Sequence, residues 1–530
     1  MNAFRTPEDR WQMPPSGQPR SERHPPGTPH AVIIGSGFGG LASAVRLSAK
    51  GWRVTVLEKL DAPGGRAYVH HQNGHVFDAG PTIITVPFLF DELWALAGKK
   101  RSDDITLKSL DPFYRIQFAD GDYFNYSGDP DKQRAEVRRI SPSDAAGYER
   151  FMAEADRCYQ LGFEALGAKA FDTVGDLIKA SPAIFKMRGW RSLHQMVASH
   201  LKHPKLRTAM SLQSLLIGGN PFSVTCIYSL INALERQWGV HWAVGGTGQL
   251  VQGLVKLLEG QGGQLRCRAE VRRIEISNGR TEGVTLASGE FIPADIVVSN
   301  ADTAWTYRHL VEPQHRRHWT DRRIENGRYS MSLFVWYFGT NRQYGDVPHH
   351  TMLLGPRYKE LLKDIFKRHK LAPDFSLYLH RPTATDASMA PEGHDTFYAL
   401  APVSHLDSGT DWRTQAEPMR RAVAEALDRT LLPGFEKHLS ASLITTPQDF
   451  HDRLLSFKGA AFGLEPLLMQ SAWFRPHNRS EDVDGLYMVG ASTHPGAGVP
   501  GVLMSAKALD SVVPHASQYA ASASHRARHA

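Results

Sequence analysis

The segment Ala31-Val-Ile-Ile-Gly-Ser-Gly-Phe-Gly-Gly-Leu41 constrains this chain more than any other. An apolar run ends in a glycine-rich turn, and a small, apolar pattern with helical character follows to Lys50. The sequence reads as strand, tight turn, helix. Gly35 permits the turn, Gly37 lets the backbone approach a pyrophosphate, and Gly40 allows close packing of the helix. Ser36, Phe38 and Gly39 complete a loop whose amides sit at a helix N-terminus. A second apolar run, Arg53-Val-Thr-Val-Leu57, ends at Glu58 with Lys59 beside it. That acid falls about twenty residues past the loop, where a carboxylate meets a ribose hydroxyl, and it favours an unphosphorylated ribose.

Context then separates a flavin dinucleotide from a nicotinamide one. The loop Asp61-Ala-Pro-Gly-Gly-Arg-Ala67 brings Gly64, Gly65 and Arg66, two flexible positions and a cation suited to lying along phosphates and an isoalloxazine. A second glycine-rich loop, Gly490-Ala-Ser-Thr-His-Pro-Gly-Ala-Gly-Val-Pro-Gly501, follows the apolar run Leu486-Tyr-Met-Val489. The two loops read as halves of one FAD site. The helix expected over Val502 to Leu509 turns its N-terminus towards the ring, where it favours the charge that develops on reduction.

Composition fits a large globular chain of two or three lobes: 530 residues, 42% hydrophobic and 22% charged. Three widely spaced cysteines, Cys158, Cys226 and Cys267, support neither a disulfide framework nor a metal site, and a reducing cytoplasm fits them. The pairs His70-His71 and His349-His350 suggest metal, but adjacent side chains diverge, so no metal site is expected. No run reaches the roughly 18 to 20 apolar residues that span a bilayer. Residues 1–29, rich in proline, read as a disordered arm, and 513–530 as a flexible basic tail.

The net charge of +7 comes with no nucleic-acid motif, and no nucleic-acid partner is expected. Lys179, Lys186, Arg188, Arg191, Lys202, Lys205 and Arg207 are interleaved with Ile184, Phe185, Met187, Trp190, Leu193, Met196 and Leu201. That stretch suits a lipid headgroup layer and an ordinary amphipathic helix pair equally well.

The organisation is α/β, with a discontinuous Rossmann-like FAD-binding domain in three parts, 30–110, 238–310 and 475–512. Between them lie a helical lid and membrane-facing lobe, 111–237, and an antiparallel-sheet substrate domain, 311–474. Residues 264–276 read as one strand and 291–300 as another. In Leu333-Phe-Val-Trp-Tyr-Phe338, Phe334, Trp336 and Phe338 share one side, which reads as core in preference to a wall for a ligand.

The stretches GSGFGGLASAVRL, LEKLDAPGGRAY, FDAGPTIIT, SLLIGGNPF, QSAWFRPHN and GASTHPGAGVPG together resemble the bacterial-type phytoene desaturases, in family order, from about residue 30 to 512. The resemblance implies successive FAD-dependent desaturations of 15-cis-phytoene to neurosporene or lycopene, with partly desaturated carotenes as intermediates. It implies a protein peripheral to the cell membrane, reoxidised by oxygen or a membrane quinone. By the same resemblance Gly80, Pro81 and Thr82, Val271 through its backbone amide, and Gly490, Ala491, Gly498, Val499 and Pro500 contact the cofactor.

Removing hydrogen from two neighbouring carbons takes a hydride and a proton, and no side chain accepts hydride, so the protein supplies at most a weak base. The candidates are Asp176, with Lys179 where the family usually has an arginine, Glu235, and His494 in the C-terminal loop. Gln237 stands where the family often carries an acid. A C30 diapophytoene desaturase and a later-step carotenoid dehydrogenase are close alternatives. A redox-neutral isomerase and a non-catalytic lipid-binding relative are the alternatives from other classes.

Overall fold

Five short apolar runs, drawn from regions of the chain more than 400 residues apart, pair into one parallel sheet in the order Leu486–Met488, Ile296–Ser299, His30–Ile34, Arg53–Leu57, Gln264–Arg266. The computed structural model describes residues 25–529, with side chains as far as residue 522. Strand His30–Ile34 is buried along its whole length, as a central parallel strand covered on both faces must be. Helices Phe38–Ala49, Thr247–Gly260 and Val499–Val512 pack together over one face, with Leu41, Val45, Leu250, Leu254, Leu503 and Leu509 in one core.

Two expected strands are each divided. Residues 264–276 form Gln264–Arg266 in the parallel sheet and Val271–Ser277 in a separate three-stranded antiparallel sheet. Residues 291–300 likewise split into Phe291–Pro293 and Ile296–Ser299. In the first case Arg268 at φ 54 breaks the extended path, and the chain crosses between layers.

The other large sheet has seven strands, in the order Leu439–Thr445, Ser332–Thr340, Asp395–Val403, Leu377–His380, His350–Leu353, Tyr114–Gln117, Tyr123–Tyr126. It is mixed and not wholly antiparallel, because His350–Leu353 runs parallel to Tyr114–Gln117. Those last two strands lie in the stretch expected to be a helical lobe, which is therefore helical only from Pro130 onward.

The aromatic strand Ser332–Thr340 is buried on both faces. Phe334, Trp336 and Phe338 pack into a closed core with Phe397, Trp412 and Phe435, as expected of core residues. Leu333 and Tyr337, of the opposite parity, face a large cavity.

The chain end departs from the expected flexible tail. Residues Ala516–His529 are helical. Tyr519 packs against Trp52 with ring centroids 4.9 Å apart, and its hydroxyl donates to the Asp295 carbonyl oxygen at 3.2 Å and accepts from Arg280. The expected arm at 1–29 lies almost wholly outside the described residues.

Candidate functional site

The two glycine loops meet over one side chain, Asn300, at the end of strand Ile296–Ser299. A Cβ on Gly39 would stand 2.5 Å from Asn300 Oδ1 and 3.1 Å from Gly490 Cα, and a Cβ on Gly490 would stand 2.7 Å from the same oxygen. Glycine is required there by contact, and at Gly35 and Gly490 also by φ of +89° and +98°. Glu58 fixes the first loop from below. One carboxylate oxygen accepts from the Ser36 amide at 2.9 Å and hydroxyl at 2.5 Å, and the other accepts from the Leu60 amide at 2.9 Å. Ala269 donates its amide to the Glu58 carbonyl oxygen at 2.8 Å, which brings the approach to Val271 beside this acid.

A cavity of about 600 Å³ begins at these loops. Among the expected contacts, Gly37, Phe38, Gly39, Gly64, Gly65, Arg66, Gly80, Pro81, Thr82, Ala491, Gly498, Val499 and Pro500 line it, as do Glu235 and His494. Gly35, Ser36, Gly40, Glu58, Lys59, Val271 and Gly490 do not. Gly35, Gly40 and Gly490 serve the loop packing, and Lys59 points away to the Asp452 carbonyl oxygen and Glu270. The surroundings suit a flavin dinucleotide: Arg66 directs one guanidinium nitrogen to Ser456, while its buried Nε has no hydrogen-bond partner among the described residues. The close-packed glycines leave a cradle that any side chain would fill.

The four expected catalytic groups divide two and two. Asp176 and Lys179 sit on helix Val174–Lys186, away from the cavity lining. Asp176 does not pair with Lys179, the ion pair their i, i+3 spacing allowed. It closes a capping box with Thr173 and pairs with Lys169 at 3.1 Å, and the Thr173 hydroxyl followed by Lys169 lowers its pKa. A residue at the third position of a helix beginning with threonine is better used as a cap than as a base. Lys179 is exposed.

Glu235 and His494 both face the cavity. Glu235 is 1% exposed; its Oε2 accepts from the Tyr114 hydroxyl at 2.9 Å, which accepts in turn from Gln213 Nε2 at 3.1 Å. Its Oε1 has no partner among the described residues, and burial raises its pKa to about 8. His494 donates Nε2–H to the Leu166 carbonyl oxygen at 3.0 Å, which fixes the tautomer and leaves Nδ1 with a buried lone pair that nothing described here engages. Burial lowers its pKa to about 4, so the imidazole is neutral at physiological pH.

Tyrosines missed in the sequence line the cavity, among them Tyr337, Tyr378 and Tyr398. Tyr378 and Tyr398 both share hydrogen bonds with Thr82 Oγ1, at 2.9 and 2.6 Å. Strand parity opposite to the core aromatics pointed to Tyr337; nothing local pointed to the others. The apolar remainder includes Leu212, Leu215, Ile217, Ile227, Ile231 and Leu234.

Sheet, loops and cavity define a flavoprotein oxidoreductase. The model of the flavin containing amine oxidoreductase family matches residues 38–508. The fold is also that of an oxidoreductase from Methanosarcina mazei, at TM-score 0.61 and 17% identity over 90% of this chain and 98% of that one.

Curated relatives narrow the class. The neurosporene-forming phytoene desaturase of Cereibacter sphaeroides is 49% identical over 92% of this chain and 95% of its own length. The lycopene-forming phytoene desaturase of a Paracoccus species is 47% identical over 92% and 98%. The chain belongs to the bacterial phytoene desaturases within the flavin containing amine oxidoreductase family.

Proposed function

We propose that this protein is an FAD-dependent phytoene desaturase that forms neurosporene or lycopene by successive dehydrogenations. The observation that carries the reading is one cavity whose lining passes from the glycine loops to an apolar, tyrosine-walled chamber and includes His494, whose Nδ1 has no partner among the described residues. Each desaturation removes a hydride from one carbon and a proton from its neighbour, and FAD, held by the loops at Gly37–Gly39, Gly64–Arg66 and Ala491–Pro500, supplies the hydride acceptor.

The protein's part is orientation, exclusion of water and removal of the proton. The aliphatic wall takes the hydrocarbon and keeps water out. Tyr337, Tyr378 and Tyr398 offer π faces to positive charge spread along the polyene. His494 Nδ1 takes the proton. Leu166 holds the opposite N–H, and a pKa near 4 keeps the lone pair free between turnovers. A weak base suffices because a C–H bond beside an electron-deficient carbon is strongly acidified. Glu235, with its pKa near 8, is mostly the neutral acid at pH 7 and is the weaker candidate.

Access from a membrane surface fits one helix with two faces. On Val174–Lys186, Leu177 and Ile184 line the cavity, while Val174, Ile178 and Phe185 are exposed. Among the described residues, four of the eight exposed large apolar side chains lie between Val174 and Trp190, so the patch is concentrated at the chamber wall. Lys179, Lys186, Arg188 and Lys202 are exposed around it, suited to anionic headgroups. Arg191 and Lys205 are instead tied to Glu154 and to Asp120 and Asp122, and Leu193, Met196 and Leu201 are core. No helix among the described residues is long and apolar enough to cross a membrane. Reoxidation by oxygen or a membrane quinone completes the cycle.

The test is purified protein with FAD, without nicotinamide, given phytoene in anionic liposomes under air, with products resolved by absorbance and mass. Loss of two hydrogens per step supports the reading. Products of unchanged mass move it to an isomerase.

A further inference from the structure

Next to Tyr378 and Tyr398 of the cavity wall, His349 and His350, the pair not expected to share an ion, meet His380 in the interior. His350 and His380 are direct cross-strand partners, so their side chains leave the seven-stranded sheet on one side, with ring centroids 5.1 Å apart. His349 precedes the strand in a bend, and the divergence expected of adjacent residues in a regular strand does not apply to it. Its ring lies 4.5 Å from that of His350 and 4.9 Å from that of His380. One nitrogen from each of the three lies within 4.8 Å of the others, and all three residues are buried.

The hydrogen bonding is one-sided. His349 Nδ1 meets the Thr385 hydroxyl at 2.7 Å, and His350 Nδ1 meets the Tyr378 hydroxyl at 2.7 Å. His380 Nδ1 lies 3.3 Å from His350 Nδ1. The Nε2 atoms of all three are buried and have no hydrogen-bond partner among the described residues. A buried nitrogen left unpaired is costly, and an ion within reach of one nitrogen from each ring would relieve that cost. His349 and His350 are each oriented through Nδ1 by a hydroxyl with Nε2 bare, the arrangement of a metal ligand with its outer support.

We propose that His349, His350 and His380 bind one divalent transition-metal ion, with zinc the fitting member of the class. Three neutral imidazoles suit zinc, and a water supplies the fourth position. Zinc–nitrogen bonds of about 2.0–2.1 Å set ligand nitrogens roughly 3.4 Å apart, which ring rotation and small shifts of His349 reach from the present spacing. The Arg381 charge, which is felt at His349, is offset in part by Asp395, its partner at 2.9 Å, and by Asp386 on this side. The site is structural. It clamps strand His350–Leu353 to Leu377–His380, and through the Tyr378 hydroxyl it steadies the cavity wall at Thr82.

Burial requires the ion to enter during folding, so the full chain is expressed in zinc-replete or cobalt-supplemented medium and passed through chelator-containing gel filtration. The expected result is about one zinc per chain, and in the cobalt protein visible d–d bands of four-coordinate intensity. His349→Gln is expected to lower retained metal about tenfold, while His438→Gln, at a half-buried site beside Asn341 and outside the cluster, leaves it unchanged. Metal below about a tenth of an equivalent in the unaltered protein overturns the proposal and assigns the space to ordered water. Full metal content in a folded His349→Gln protein overturns it equally. Both measurements on the unaltered protein stand even where the variant fails to fold.

Discussion

The two candidate proton-transfer residues, His494 and Glu235, are separated by their environments. His494 is held neutral by burial, with its proton on the nitrogen that faces Leu166. His494→Ala is expected to lower kcat about 100-fold with little change in KM, measured by carotene formation in liposomes. His494 has a folded pKa near 4, below the unfolded value, so its stabilising effect is complete above about pH 6.5 and is lost as pH falls through 4.

Glu235 behaves in the opposite sense. Its folded pKa, near 8, lies above the unfolded value, so its contribution is complete below about pH 4.5 and is lost as pH rises through 8. Glu235→Gln, which keeps the bond from Tyr114, is therefore expected to raise the melting temperature near pH 9 and to change it little near pH 5. Thermal unfolding at the two pH values checks this. Both residues were legible in the sequence as candidates, but their ranking was not, because it depends on a lone pair and a desolvated carboxyl that only packing creates. Asp176 was misleading for a local reason: its capping box with Thr173 is written in the sequence as Thr-x-x-Asp, a cap signature.

At the scale of elements, helix Val174–Lys186 joins cavity and surface. Replacing Ile178 and Phe185 by aspartate removes exposed apolar area without touching the core, so the folded state is expected to keep its melting temperature within about 1–2 °C. Sedimentation with anionic vesicles is expected to fall at least roughly tenfold, because two buried side chains contribute about 1.5–3 kcal/mol each. The alternating apolar and basic pattern was visible in the sequence but left membrane and core readings even. Structure divides the stretch, with 174–190 exposed and the helix Leu193–His200 buried on its apolar side. Strand boundaries were less legible than strand existence, since the crossing between sheets at Arg268 has no proline or glycine to mark it.

For the whole molecule, the last helix is tied to the parallel-sheet domain. The Trp52 indole donates to the Pro514 carbonyl oxygen at 3.0 Å, and Tyr519 closes over it, so the last helix belongs to the fold. Tyr519→Ala is expected to destabilise by roughly 2–4 kcal/mol, read from denaturant unfolding. Small, polar composition hid this, because one buried tyrosine in a weakly amphipathic segment leaves little periodic signal. The glycine loops, by contrast, were legible across their full separation, since φ and close approach admit no other residue.

The proposed reaction takes hydride and proton from one hydrocarbon held between those loops and the tyrosine wall. The most direct measurement is a single anaerobic turnover of the FAD-loaded protein mixed with phytoene in liposomes, following flavin absorbance and product mass together. The expected result is loss of the oxidised-flavin band in step with about one equivalent of a carotene two hydrogens lighter. Formation of that carotene with the flavin band unchanged, or of an isomer of unchanged mass, would contradict it.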